Sequence, residues 1–187
     1  EELAWGLLAA TSESVMTAER TLAEAVATLA ARPSTLPASE LSAHAIELVL
    51  LPPDAPTETG SLFSNLNASA GFERIGTTDL GTMWRVRPDG DLPALLTIES
   101  AGARQVVPAG TVGTKTQVTN AQAGHLVLAE PADPGWRATF NSVPLEVGED
   151  PDPSQGWRQT FVIPAGEGEL TVQYSPRWRP AWLIASG

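Results

Sequence analysis

The sequence contains no cysteine, two histidines and only one tyrosine. The absence of thiols excludes disulfide bonds, thiol catalysis and thiolate zinc sites within these 187 residues. Basic residues are also scarce, with 11 against 22 acidic ones and a net charge of −11. Because nucleic acids and anionic lipid surfaces both bind basic patches, this balance argues against either as a partner.

Long apolar runs are missing as well. No stretch reaches the roughly 18 apolar residues that a membrane-spanning helix needs. The first residues, LAWGLLAA, and the last, RPAWLIASG, are nevertheless apolar, and each carries a tryptophan of the kind enriched at membrane interfaces. These ends predict either a terminal helix and a last strand, or segments that adjoin membrane spans outside the sequence. Because no basic n-region precedes the first apolar run, we expect no signal peptide here.

Helical periodicity dominates the first part of the chain. Between Thr17 and Pro33, the apolar residues Leu22, Val26 and Leu29 recur at i, i+4 and i+7. The elements predicted after this helix are a short helix from Pro37 to His44, a buried strand over 46–53, a helix over 61–69 and a hairpin over 72–87. Their order predicts a small α/β subdomain over residues 1–90, which ends in a turn-rich segment.

Alternating strands dominate residues 91–187. In WRATF (136–140) and ELTVQYS (169–175), apolar and polar residues alternate with period two. Eight such runs, separated by Pro/Gly/Asp-rich turns, predict an antiparallel β-sandwich of the jelly-roll type and therefore an α+β chain. The residues expected in its core include Phe161, Leu170, Val172 and Tyr174.

Three motifs carry a family resemblance: LVLAEP (126–131), GWRAT (135–139) and GWRQTFVIPAG (156–166). They resemble the C-terminal part of actinobacterial membrane-bound family 2 glycosyltransferase-like proteins. One departure is Asn141-Ser142, which stands where that family has Asp-Gly in a hairpin turn. Both pairs suit a type I′ turn, but Ser fits its second position less well than Gly.

The resemblance implies an extracytoplasmic domain at the cell membrane, taking part in cell-envelope glycan assembly. Its partners would be the flanking transmembrane segments of a parent protein and, in addition, cell-wall glycan. In that family, sugar transfer belongs to a separate cytoplasmic domain with acidic residues and a divalent metal, and nothing here matches that domain. We therefore expect this part to be non-catalytic, without cofactor or metal, although the parent would be a glycosyltransferase.

Tryptophans are the candidate binding residues. An exposed Trp136, Trp157 or Trp178 could stack on the apolar face of a sugar ring, and Arg177 and Arg179 beside Trp178 could bond its hydroxyls. A core position is the alternative for Trp136 and Trp157, and a membrane-surface position is the alternative for Trp178. Two other functions therefore stay open, a carbohydrate-binding module and a structural interaction domain of the envelope.

The remaining candidates for chemistry are weak. Glu149, Asp150 and Asp152 could hold Ca²⁺ through oxygen ligands or simply form a solvated loop. Neither His44 nor His125 lies beside a nucleophile motif, and no phosphate-binding glycine loop is present.

Overall fold

The structure is a computed structural model that describes residues 2–53, 60–88, 93–110, 113–120 and 122–175, with side chains from residue 13 onward except residue 60. Its three helices are α1 (Glu2–Ala31), α2 (Leu36–Ala43) and α3 (Gly60–Ala68). The strands are β1 (Leu48–Leu51), β2 (Phe72–Thr78), β3 (Gly81–Val86), β4 (Leu96–Ser100), β5 (Ala103–Val106), β6 (Gly113–Asn120), β7 (Gly124–Pro131), β8 (Trp136–Phe140), β9 (Val143–Pro144), β10 (Arg158–Ile163) and β11 (Gly166–Tyr174). The predicted α+β class is confirmed.

The helices and first strands form one layer. Strands β1, β3 and β2 pair antiparallel in that spatial order. The helices cover one face of this sheet, where Trp84 of β3 packs against Leu29 of α1 and Leu66 of α3. Val86 of β3 packs with Leu41 of α2 in an adjoining cluster. This layer is held by two small hydrophobic clusters rather than by one large core.

Two predictions for this layer are wrong. Val26 is 49% exposed, and the buried stripe of α1 consists of Ala18, Ala25 and Leu29. Alanine takes the inner positions because it lets α1 approach α2 and α3 closely, which leaves the bulkier valine outside. The apolar run 46–53 also does not form a buried strand: β1 is an edge strand with Leu48 and Leu50 exposed. A continuous apolar run does not by itself indicate burial on both faces.

The eight later strands form two four-stranded sheets, ordered β10-β7-β4-β5 and β6-β11-β8-β9, and every neighbouring pair is antiparallel. The sandwich prediction is therefore confirmed. Phe161, Leu170 and Val172 lie in its core, as predicted, together with Leu126 and Phe140. Within 122–175 the only helical segment is the 3₁₀ turn Pro153–Gln155.

The prediction that Tyr174 belongs to the sandwich core is wrong. Its side chain is 39% exposed at the end of β11, although its alternation matches that of Leu170 and Val172. The sheet ends here, so no facing residue covers the ring completely. Alternation gives the face of a strand but not the position where the core stops.

The β8–β9 hairpin has the predicted turn. Asn141 and Ser142 have φ of 50° and 66° between the paired residues Phe140 and Val143, which is a type I′ turn. The Asn141 side chain reaches β11, where its Oδ1 accepts a hydrogen bond from the Glu169 N–H at 2.9 Å. A Cβ on Gly168 would overlap the Asn141 amide, so a larger residue here would displace that amide from its hydrogen bond to β11.

The turn predicts that Ser142→Gly stabilises the protein. A side chain at positive φ costs about 1–2 kcal/mol, and the greater freedom of glycine in the unfolded chain offsets part of the gain. We expect the free energy of unfolding to rise by about 0.5–1 kcal/mol in urea denaturation. Ser142→Ala is the matched control, because alanine keeps the Cβ and should give no such gain. Equal stability of the Gly and Ala variants would contradict the strain at this turn.

Candidate functional site

Trp157 joins the sandwich to the helical layer. It precedes β10, is 2% exposed, and stacks on His44 with 4.3 Å between ring centroids and 16° between planes. His44 is the C-cap of α2, and the N–H of Ile46 returns to the Leu41 carbonyl in a Schellman motif with Ala45 at φ 54°. The helix end therefore fixes the imidazole against the indole.

A hydrogen-bond chain reinforces this stacked pair. The Trp157 indole Nε1 donates to Gln155 Oε1 at 2.9 Å, and Gln155 Nε2 donates to Glu40 Oε2 of α2 at 3.1 Å. A buried indole N–H needs an acceptor, and the buried amide supplies one while using its own donor on the opposite layer. We call Trp157, His44, Gln155 and Glu40 the junction.

The acidic loop, which contains Glu149, Asp150 and Asp152, lies next to the junction and does not form a metal site. Asp150 is held by Arg158 in a bidentate ion pair of 2.6 and 2.7 Å, and its side chain is 1% exposed. Asp152 accepts from the backbone N–H and the hydroxyl of Ser154 and so caps the 3₁₀ turn. Among the residues that the structure describes, no three His, Cys, Asp or Glu side chains are grouped to hold a metal ion. The Ca²⁺ alternative therefore has no support, and Asp150 is buried rather than solvated.

A polar cleft opens between α2 and this loop, with a volume of about 310 Å³. Its polar lining comes from both layers and consists of Ser39, Glu40, Ser42, Arg104, Asp152, Ser154, Gln155 and Arg158. Arg104 of β5 also lines a neighbouring hollow of about 410 Å³, which contains Glu99 and His125. Both volumes fall within the range of small-molecule sites, and such sites occur preferentially between domains.

The far end of the sandwich carries an aromatic pair. Trp136 and Tyr174 meet edge to face with ring centroids 5.0 Å apart. Desolvation, and then the interaction with the neighbouring Asp133 carboxylate, raise the pKa of Tyr174 above its usual value. Gly135 lies beneath the Tyr174 ring, where a Cβ would meet the ring at 2.7 Å.

The structure places the predicted sugar-stacking residues in different environments. Trp157 is buried and one of its faces is stacked on His44, which contradicts a role in sugar stacking. Trp136 packs partly against the sandwich core, and its exposed remainder lies beside Tyr174. Trp178, Arg177 and Arg179 lie outside the described residues.

Among the residues that line the cleft, sequence reasoning singled out only Asp152, as part of a possible Ca²⁺ cluster. Gln155 and Glu40 are 115 positions apart, so no local pattern connects them. Arg104 lies in a short strand with no recognisable motif around it. The acidic cluster did signal Asp152, but as a metal ligand rather than as the turn cap that it forms.

The motif residues that carry the family resemblance have structural roles. Gln159 Oε1 accepts from the Asp133 N–H at 3.0 Å, and the Pro164 carbonyl accepts from Asn120 Nδ2 at 3.2 Å. Phe161 and Leu126 fill the core, while Trp157 belongs to the junction. The motifs thus specify packing, turns and inter-layer contacts.

Comparison with known protein families, curated proteins and solved structures found no match to the chain. Across the described ranges, no helix combines the length and apolarity needed to cross a bilayer.

The junction predicts a pH-dependent stability. Burial lowers the pKa of His44 below 6.5, Glu40 opposes this shift, and Arg158 adds to it. The folded protein therefore binds a proton at His44 less readily than the unfolded chain does. The stabilisation that depends on neutral His44 is fully present above pH 6.5 and is lost as the pH falls through the folded-state pKa. Urea denaturation should show the free energy of unfolding decreasing over that interval.

Two variants assign the effect. His44→Gln removes the titrating group while keeping a polar partner for Thr21, so the decrease below pH 6.5 should become smaller. His125→Gln should retain the wild-type decrease. If His44→Gln follows the wild-type curve, His44 does not cause the pH dependence.

Proposed function

We propose that the chain is a non-catalytic extracytoplasmic domain of a membrane-bound family 2 glycosyltransferase-like protein that takes part in cell-envelope glycan assembly. The observation that carries the proposal is the structural role of the shared motif residues. A motif whose glycines, tryptophans and apolar residues hold a sandwich together marks a scaffold. The chemistry of the parent protein would then lie in another domain.

The histidine geometry agrees with a scaffold. Within the described residues, His44 Nε2 lies 3.0 Å from the Thr21 hydroxyl, the one histidine contact there that resembles a base beside a nucleophile. That hydroxyl donates to the Ala18 carbonyl at 3.0 Å, so its remaining role toward His44 is that of an acceptor. A histidine that donates to a hydroxyl is not placed to remove its proton. We therefore assign the Thr21–His44 pair to the packing of α1 on α2.

A second candidate function is carbohydrate binding at the Trp136–Tyr174 pair. Tyr174 is 39% exposed and the Asp133 carboxylate lies near enough to its hydroxyl to raise the pKa, so a ring and a carboxylate are placed side by side. Aromatic rings take the C–H faces of sugars, and carboxylates accept from their hydroxyls. Partial burial of Trp136 leaves Tyr174 as the main stacking surface.

The side of the membrane can be tested with a single introduced thiol. The chain has no cysteine, and Val143 is 64% exposed in the β8–β9 hairpin. In the full-length protein, Val143→Cys should react with a membrane-impermeant maleimide in intact cells, above the level of the protein without this substitution. Labelling only after cell lysis would place the domain in the cytoplasm and contradict the proposal.

Ala138→Cys is the matched control for this labelling. Ala138 lies in the neighbouring strand β8 and is buried in the sandwich core. Its thiol should become reactive only after denaturation. Labelling of Val143→Cys but not Ala138→Cys in intact cells then reports on a folded domain outside the membrane.

A further inference from the structure

The cleft between α2 and the acidic loop has rigid walls. Gln155 is held at both ends of its amide by Trp157 and Glu40, and Arg158 is held by two bonds to Asp150. Asp152 is fixed by Ser154 at 2.7 Å. Polar groups held in this way lose little freedom when a ligand binds, so even a small site gains affinity from them.

The side chains of the cleft indicate its ligand. Arg104 forms no ion pair within the described part of the chain, so its guanidinium is free to donate. Glu40 and Asp152 provide carboxylate acceptors on either side, and Ser39 and Ser42 provide hydroxyls. The two carboxylates disfavour an anionic ligand, and the charged groups together with the hydroxyls disfavour a wholly apolar one. Donors and acceptors from both sides of one cleft instead match a neutral molecule that carries many hydroxyl groups.

We propose that this cleft binds a neutral saccharide. The sugar hydroxyls accept from Arg104 and donate to Asp152 and Glu40. Because the lining comes from α2 on one side and from the sandwich on the other, the bound sugar contacts both layers. The inference does not depend on the membrane topology proposed above, and cytoplasmic labelling of Val143→Cys would leave it standing.

The junction provides a local probe of the cleft. The Trp157 indole N–H donates to Gln155, which lines the cleft. The ¹H–¹⁵N signal of this indole group should therefore shift when sugar binds. The Trp84 indole N–H, bonded to Asn67 in the helical layer, provides an internal reference in the same spectrum. Neutral arabinan, galactan and mannan oligosaccharides would be titrated into the ¹⁵N-labelled protein. We expect at least one to shift the Trp157 signal in a saturable manner, with the Trp84 signal unchanged.

Paired arginine variants assign the binding to the cleft. Arg104→Ala removes the free donor, and Arg137→Ala removes an exposed arginine from β8 of the other sheet, with the same change in net charge. Loss of a charged hydrogen bond predicts about tenfold weaker binding for Arg104→Ala and unchanged binding for Arg137→Ala. Equal affinities of the two variants would overturn the proposal. So would the absence of any Trp157 shift at millimolar sugar, or shifts confined to Trp136 and Tyr174, which would place sugar at the aromatic pair instead.

Discussion

Burial of the Trp157 indole is the interaction on which the arrangement of this molecule depends. Removing so large a ring from water is favourable, but its N–H then needs an acceptor inside the protein. Gln155 supplies the acceptor, and the amide in turn needs a partner for its own N–H, which Glu40 of α2 provides. The His44 ring covers one indole face. Through its ring and its N–H, this one buried side chain thus connects the sandwich to the helical layer.

The same contacts shape the surface beside the junction. The loop that leads to Trp157 is held by the buried ion pair of Asp150 with Arg158 and by the cap that Asp152 forms on the 3₁₀ turn. Breaking a buried ion pair by removing one partner typically costs about 3–5 kcal/mol, so this ion pair holds the loop firmly in its position. A rigid wall facing α2 creates the cleft, and the cleft is polar because the residues that hold the loop are polar. The proposed saccharide site and the stability of the fold therefore share a physical origin.

Much of the sandwich could be predicted from the sequence, because the period of two in its strands is a local signal. WRATF forms β8 with the predicted bounds, and positive φ at Asn141 and Ser142 follows from the turn chemistry of that pair. The small layer was harder to predict, since Val26 and Ala25 both fit a helical stripe and only the closeness of α2 and α3 selects alanine.

The candidate site was mostly beyond prediction. The burial of Trp157 and the choice of Gln155 as its acceptor depend on Glu40 and His44, which are more than 100 positions away. The sequence indicates that tryptophans matter here but not which of their faces are covered. Exposure of Tyr174 likewise depends on where the second sheet ends, which strand alternation does not encode.

The central claim is that the junction makes the helical layer and the sandwich one cooperative unit. Native-state hydrogen exchange tests it most directly, with the amides of Trp84 in β3 and Phe161 in β10 reporting on the two layers. In the wild type, both should exchange with the same free energy of opening. In Trp157→Ala, the Trp84 amide should open at a lower free energy than the Phe161 amide. Unequal opening energies in the wild type, or equal ones in Trp157→Ala, would contradict the account.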